Sequence, residues 1–142
     1  MGYNLAKKNT GTKRTDSVEH TIEDLIKITV ETASDVHKKL GTGQPVEGYG
    51  SSMESGLKKN GCTVKKQIRE SILADGDDAI ECSIVEMLVN GRLALNIVAA
   101  DRLLPAHKRQ LLSQLELEGY KLGLLINFNE ANIDDGIIRV IN

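Results

Sequence analysis

Met87-Leu88-Val89-Asn90-Gly91-Arg92-Leu93-Ala94-Leu95 carries the clearest structural instruction in the chain. Two apolar runs flank Asn90-Gly91. A type I′ turn requires positive φ at both central positions, which Asn and Gly tolerate better than other residues. The stretch therefore predicts two antiparallel strands joined by a tight hairpin. Working outward, Ile80, Cys82 and Ile84 alternate with more polar neighbours, as do Cys62, Val64 and Ile68, and both patterns predict strands. On the other side, Pro105 suits the first turn of a helix. Leu104, Leu111, Leu112 and Leu115 then share a face, and Gly119 closes it. Leu122 to Phe128 reads as a buried strand, and Ile137 to Ile141 as a last strand near an edge.

The N-terminal half reads as helical. Val18, Ile22, Leu25, Ile26, Thr29, Ala33, Val36 and Leu40 recur at helical spacing. Asp16 and Ser17 are the expected caps, and Gly41 and Gly43 end the run. That predicts about 24 residues, or roughly 36 Å of helix. A shorter helix runs through Tyr49, Met53 and Leu57 to Gly61. The order α-α-β-β-β-α-β-β predicts an α/β fold, a small mixed β-sheet flanked by helices.

Composition narrows the function classes. With 142 residues the chain fits one domain, expected over residues 16–142, with residues 1–15 as a basic arm. Only four residues are aromatic, so aliphatic side chains must fill the core. Net charge is -2, and no overall basic field attracts nucleic acid. Lys7, Lys8, Lys13 and Arg14 carry four of the 18 basic residues, leaving 14 against 20 acids, or -6, beyond residue 14. No apolar run is long enough for a membrane span. The basic N-terminus lacks an apolar stretch, so a secretory signal is not expected. Cys62 and Cys82 match neither a CxxC site nor a disulfide framework. They are expected as buried free thiols on strands in a reducing cytoplasm.

Several clusters have plain readings. Ala74-Asp75-Gly76-Asp77-Asp78 lacks the later ligands of a Ca²⁺ loop, so a solvated turn is favoured. Lys38-Lys39 and Lys65-Lys66 read as solvated faces, and His20 and His37 as surface or helix-end residues. Glu86, on an otherwise apolar strand, is the carboxylate of most interest. It reads as a residue facing a cleft in preference to a partner of Arg92 across the hairpin.

Leu40-Gly41-Thr42-Gly43, Arg102-Leu103-Leu104-Pro105, His107, Gln110, Gly123-Leu124-Leu125-Ile126-Asn127-Phe128 and Gly136-Ile137 together resemble the GxxExxY protein family, over roughly residues 30–142. That family looks like a branch of the PD-(D/E)xK nuclease superfamily. The resemblance implies a restriction-endonuclease-like core and a metal-dependent nuclease site. In such chemistry carboxylates hold a divalent metal that polarises the scissile phosphate and supplies hydroxide. A Lys two residues after one carboxylate lies on the same strand face.

The resemblance also implies where those groups should stand. Setting Gly43 and Tyr49 on the family's Gly and Tyr puts Val46 at the first Glu, with Glu47 adjacent. The Asp before the hairpin falls on Glu86. The E-x-K segment falls on Asn96-Ile97-Val98, so the second Glu is Asn96 and the Lys is Val98. His107 and Gln110 match, while the aromatic four positions later is Gln114. The expectation is a degraded site with no catalytic residue, metal or cofactor, in which Glu47, His107 and Gln110 are remnants. Three functions follow. The favoured one is an inactive nuclease-fold protein that assembles with itself through a sheet edge and the basic arm, as a homo-oligomer or filament. The second is a metal-dependent nuclease relocated onto Glu47, Glu86 and Asn96. The third is nucleic-acid binding without cleavage, disfavoured by the acidic body and the lack of aromatic stacking residues.

Overall fold

The computed structural model describes residues 20–75 and 78–142. The order is α1 (Ile22–Leu40), α2 (Val46–Lys59), β1 (Val64–Asp75), β2 (Asp78–Val89), β3 (Leu93–Val98), α3 (Pro105–Glu118), β4 (Leu122–Asn127) and β5 (Ile137–Ile141), with a 3₁₀ turn at Ile133–Gly136. The strands form one sheet in chain order, β1-β2-β3-β4-β5. Only the β3/β4 pair is parallel. The fold is therefore α/β with a mixed sheet, as the pattern predicts, and α3 supplies the crossover that a parallel pair requires.

The hairpin forms where expected. Arg92 N–H donates to Val89 O at 3.0 Å, and Asn90 and Gly91 both have positive φ, 52° and 68°. Asn90 does more than turn the chain. Its N–H donates to Thr63 O at 2.9 Å, and its Oδ1 accepts from Thr63 N–H at 2.8 Å. The turn thus also fixes the start of β1.

Alternation sorts side chains between two cores. Leu93, Leu95 and Ile97 of β3, with Val85, Met87 and Val89 of β2, pack under α1 and α2. Ala94 and Val98, with Ile84, Leu125 and Val140, pack under α3. β3 is buried along its whole length, as a central strand covered on both faces must be. On the first face Tyr49 stacks on Phe128, with centroids 4.6 Å apart and planes 8° from parallel. Tyr49 also donates its hydroxyl to Gly41 O at 2.6 Å, which secures the α1–α2 loop. α2 approaches the sheet closely because Gly50 has no side chain: a Cβ there would lie 2.9 Å from Val85.

Two expectations need correction. The first helix begins at Ile22, not at Asp16-Ser17, which lie outside the described residues. Its cap is Thr21, whose hydroxyl accepts from Asp24 N–H while Asp24 accepts from Thr21 N–H, both at 3.0 Å. This reciprocal box is a stronger stop than a lone capping side chain. Cys62 is buried but precedes β1, in the turn after α2, and Cys82 on β2 is only half-buried. His37 lies in the last turn of α1, as expected of a helix-end residue, and its Nε2, 2.8 Å from Glu130 O, ties α1 to the segment after β4. The basic arm lies outside the described residues.

Candidate functional site

β2 and β3 set the site. Glu86 and Asn96 are direct cross-strand partners, and opposite residues in an antiparallel pair share a face. That face is the one under α3, shared by Val98 two residues on. Three of the four expected positions therefore converge. Val46 does not join them. It packs with α1, α2 and Ile97 on the opposite face of the sheet, and Glu47 beside it is exposed.

Glu86 is 9% exposed and forms an ion pair with Arg69 Nη2. The partner is on β1, not Arg92 as considered from the sequence. Arg92 donates instead to His20 O at 2.6 Å. Gln67 stands directly opposite Glu86 and Arg69 opposite Ile84, so Arg69 reaches Glu86 diagonally, within range for a long side chain. The Arg69 side chain is 41% exposed, so one end of the pair faces water.

Asn96 is 1% exposed, and neither of its amide atoms has a hydrogen-bond partner among the described residues. Buried polar groups are seldom left so, at a cost of about 1–3 kcal/mol each. Val98 is fully enclosed by its core. Beside Glu86 a cleft of about 280 Å³ opens between β1 and α3, lined among others by Lys65, Gln67, Gln114 and Glu118.

α3 faces the same region. His107 occupies its first turn, and its Nδ1 accepts from Leu104 N–H at 2.9 Å. The imidazole thus plays the role usually given to a Glu at this point of a helix. Nε2 then carries the proton and lies 4.0 Å from Cys82 Sγ. Burial lowers the His107 pKa below its ordinary value, and burial raises that of the Cys82 thiol. Both groups are held neutral, which is the reverse of a thiolate–imidazolium nucleophile. Gln110 Nε2 donates to Ser71 Oγ at 2.8 Å and ties α3 to β1.

A model of the PD-(D/E)XK nuclease superfamily matches residues 23–140. The chain belongs to this superfamily. Neither the curated proteins nor the solved structures give a match. Members of the PD-(D/E)XK superfamily bring carboxylates and a Lys to a metal, so the donor set here can be tested against that requirement. Two carboxylates line the cleft, Glu86 and the exposed Glu118, and Arg69 already neutralises Glu86. The cross-strand partner is a neutral amide, and the residue two further on is aliphatic. Among the described residues no group of three or more His, Cys, Asp or Glu side chains gathers to hold a metal. A hard divalent cation takes six or more oxygens, several of them anionic. The side chains at the expected positions, Glu86, Asn96 and Val98, do not fit it.

Sequence reading missed two residues of this region. Nothing in the sequence singles out Arg69, and only the β1/β2 register gives it a partner. Asn127, quoted only as part of a matching run, is fully buried. It clamps the chain leaving β3, with Ala100 N–H donating to its Oδ1 at 3.0 Å and its Nδ2 donating to Ala100 O at 2.9 Å. A polar residue ending the apolar run Leu122–Phe128 was the available signal.

Proposed function

We propose that this chain is a GxxExxY-type member of the superfamily that has lost phosphodiester hydrolysis and acts as a self-assembling structural or binding module. The Glu86–Arg69 ion pair, facing Asn96 across the strands, carries the reading. A guanidinium on the buried cleft carboxylate supplies the charge that a metal would otherwise supply. It does so without open coordination positions and without the power to acidify water. Relocation onto Glu47 gains no support, because Glu47 and Glu86 lie on opposite sides of the sheet.

The assembly half of the proposal rests on two features. Residues 1–14 carry four positive charges against -6 for the remainder, a complementarity suited to contact between copies. The sheet also ends in two edge strands, β1 and β5, and unpaired edges invite a further strand. The free thiols of Cys62 and Cys82 favour a reducing compartment such as the cytoplasm. No helix among the described residues is long and apolar enough to cross a membrane.

The test incubates the full chain with single- and double-stranded DNA and RNA in Mg²⁺ or Mn²⁺. No cleavage is expected. Metal-dependent cleavage that Glu86→Ala abolishes would sink the proposal.

A further inference from the structure

Among the described residues β1 closes one side of the sheet, and β2 is its single strand partner. The register shows which of its backbone groups turn away from β2. Thr63 and Asn90 form a pair bonded toward β2, and pairing then runs without a bulge from Val64↔Val89 to Asp75↔Asp78. Backbone direction reverses at each residue of an antiparallel strand. Lys65, Gln67, Arg69 and Ser71 therefore bond to β2, while Val64, Lys66, Ile68, Glu70 and Ile72 turn their N–H and C=O groups outward. Ala74 is next in that outward series, and its carbonyl oxygen accepts from Arg109 Nη2 at 3.2 Å, which closes the series at one end. The five outward residues also put their side chains on one face, the α1/α2 face. There Ile68 is 47% and Ile72 73% exposed.

We infer that β1 pairs antiparallel with β1 of a second copy, about a two-fold axis through Ile68. This deepens the self-assembly half of the proposed function and is independent of the loss of hydrolysis. A two-fold axis perpendicular to the sheet keeps equivalent faces on one side, so outward residues meet outward residues. With the axis on Ile68, that residue meets itself, Lys66 meets Glu70 twice, and Val64 meets Ile72 twice. On the other face Gln67 meets Arg69, and Lys65 meets Ser71. No like charges stand opposite, and every outward residue gains a matching neighbour. Moving the axis by one residue sets Arg69 against Arg69, and by two sets Glu70 against Glu70. Charge therefore selects the register. It also uses Lys66 and Glu70 near groups they already contact, Glu54 at 3.0 Å and Ser83 Oγ at 2.8 Å.

The test uses the full chain in light scattering, with circular dichroism to confirm folding. Ile68→Lys puts two ammonium groups together on the axis and is expected to weaken association at least tenfold. Lys66→Glu alone is expected to weaken it, and Lys66→Glu with Glu70→Lys to restore it. Under mild oxidation Ile68→Cys is expected to cross-link between copies, since facing Cα atoms are about 5.5 Å apart. Ile72→Cys is not, since its equivalent lies eight positions along, about 27 Å away. Association unchanged in folded Ile68→Lys overturns the β1 interface but leaves self-assembly standing. A full chain that is monomeric at tens of micromolar in low salt overturns both. Failure of the charge swap to restore a folded Lys66→Glu chain overturns the register.

Discussion

Glu86 shows how much one side chain can decide and how little of its setting the sequence carries. Its place on an apolar strand marked it as exceptional. Arg69, 17 positions away, became its partner only when β1 registered on β2, and the nearer Arg92 was the more obvious candidate. Removing Arg69 leaves a buried carboxylate alone. Arg69→Ala is expected to destabilise the fold by about 1–3 kcal/mol, less than a fully buried pair because the guanidinium is part-exposed. Arg69→Ala combined with Glu86→Gln should recover part of that loss in urea denaturation. His107 gives a pH signature. Burial lowers its pKa in the fold, so the unfolded chain takes up the proton first. Stability is then full above the unfolded value of about 6.5 and falls as pH drops below it toward the folded value. The slope is at most about 1.4 kcal/mol per pH unit. His107→Gln keeps an acceptor for Leu104 N–H and should flatten that slope below about pH 6.5, measured by denaturation at each pH.

At the level of elements, local signals were legible where one rule acted alone. Asn90-Gly91 dictates its turn, and Pro105 and Gly119 bracket α3 as expected. The start of α1 was misplaced because Asp16, Ser17 and Thr21 all offer a capping oxygen, and only Thr21 combines a hydroxyl with an acid three residues on. The length of β1 was also obscured. An edge strand can carry Lys, Gln, Arg and Glu through its middle, which breaks the alternation that reveals a strand. The α1–α2 contact depends on Gly56, where a Cβ would lie 2.7 Å from Thr32 Cγ2. The Thr32 side chain is held by its hydroxyl, which donates to Ile28 O at 2.7 Å. Gly56→Ala should therefore cost about 1–3 kcal/mol in place of the helix-propensity gain of about 1 kcal/mol. Thr32→Ser removes the opposing methyl and keeps the hydroxyl. In that background Gly56→Ala should approach neutrality, and a denaturation double-mutant cycle measures the coupling.

Across the whole molecule, element order and the hairpin gave the α/β class, while matched runs such as Gly123–Phe128 pointed to the superfamily. The face on which each site residue stands was not legible, because a helix spacing cannot say which side of a sheet the helix will cover. Val46 and Glu86 therefore looked like neighbours in a motif and are separated by the sheet. Charge at this scale leads to a prediction about assembly. If the four cations of residues 1–14 meet the acidic remainder of another copy, raising salt from about 0.05 M to about 0.5 M should weaken association, since the screening length shortens severalfold. A chain starting at Thr15 should associate more weakly and lose most of that salt dependence in light scattering. The stacked Tyr49–Phe128 pair has an optical consequence. The chain has no tryptophan and three tyrosines, and of the two described, Tyr49 is the one locked against another ring and fully enclosed. Its asymmetric environment should dominate the near-ultraviolet circular dichroism, so that Tyr49→Phe silences a band that otherwise reports, without any label, whether α2 is seated on the sheet.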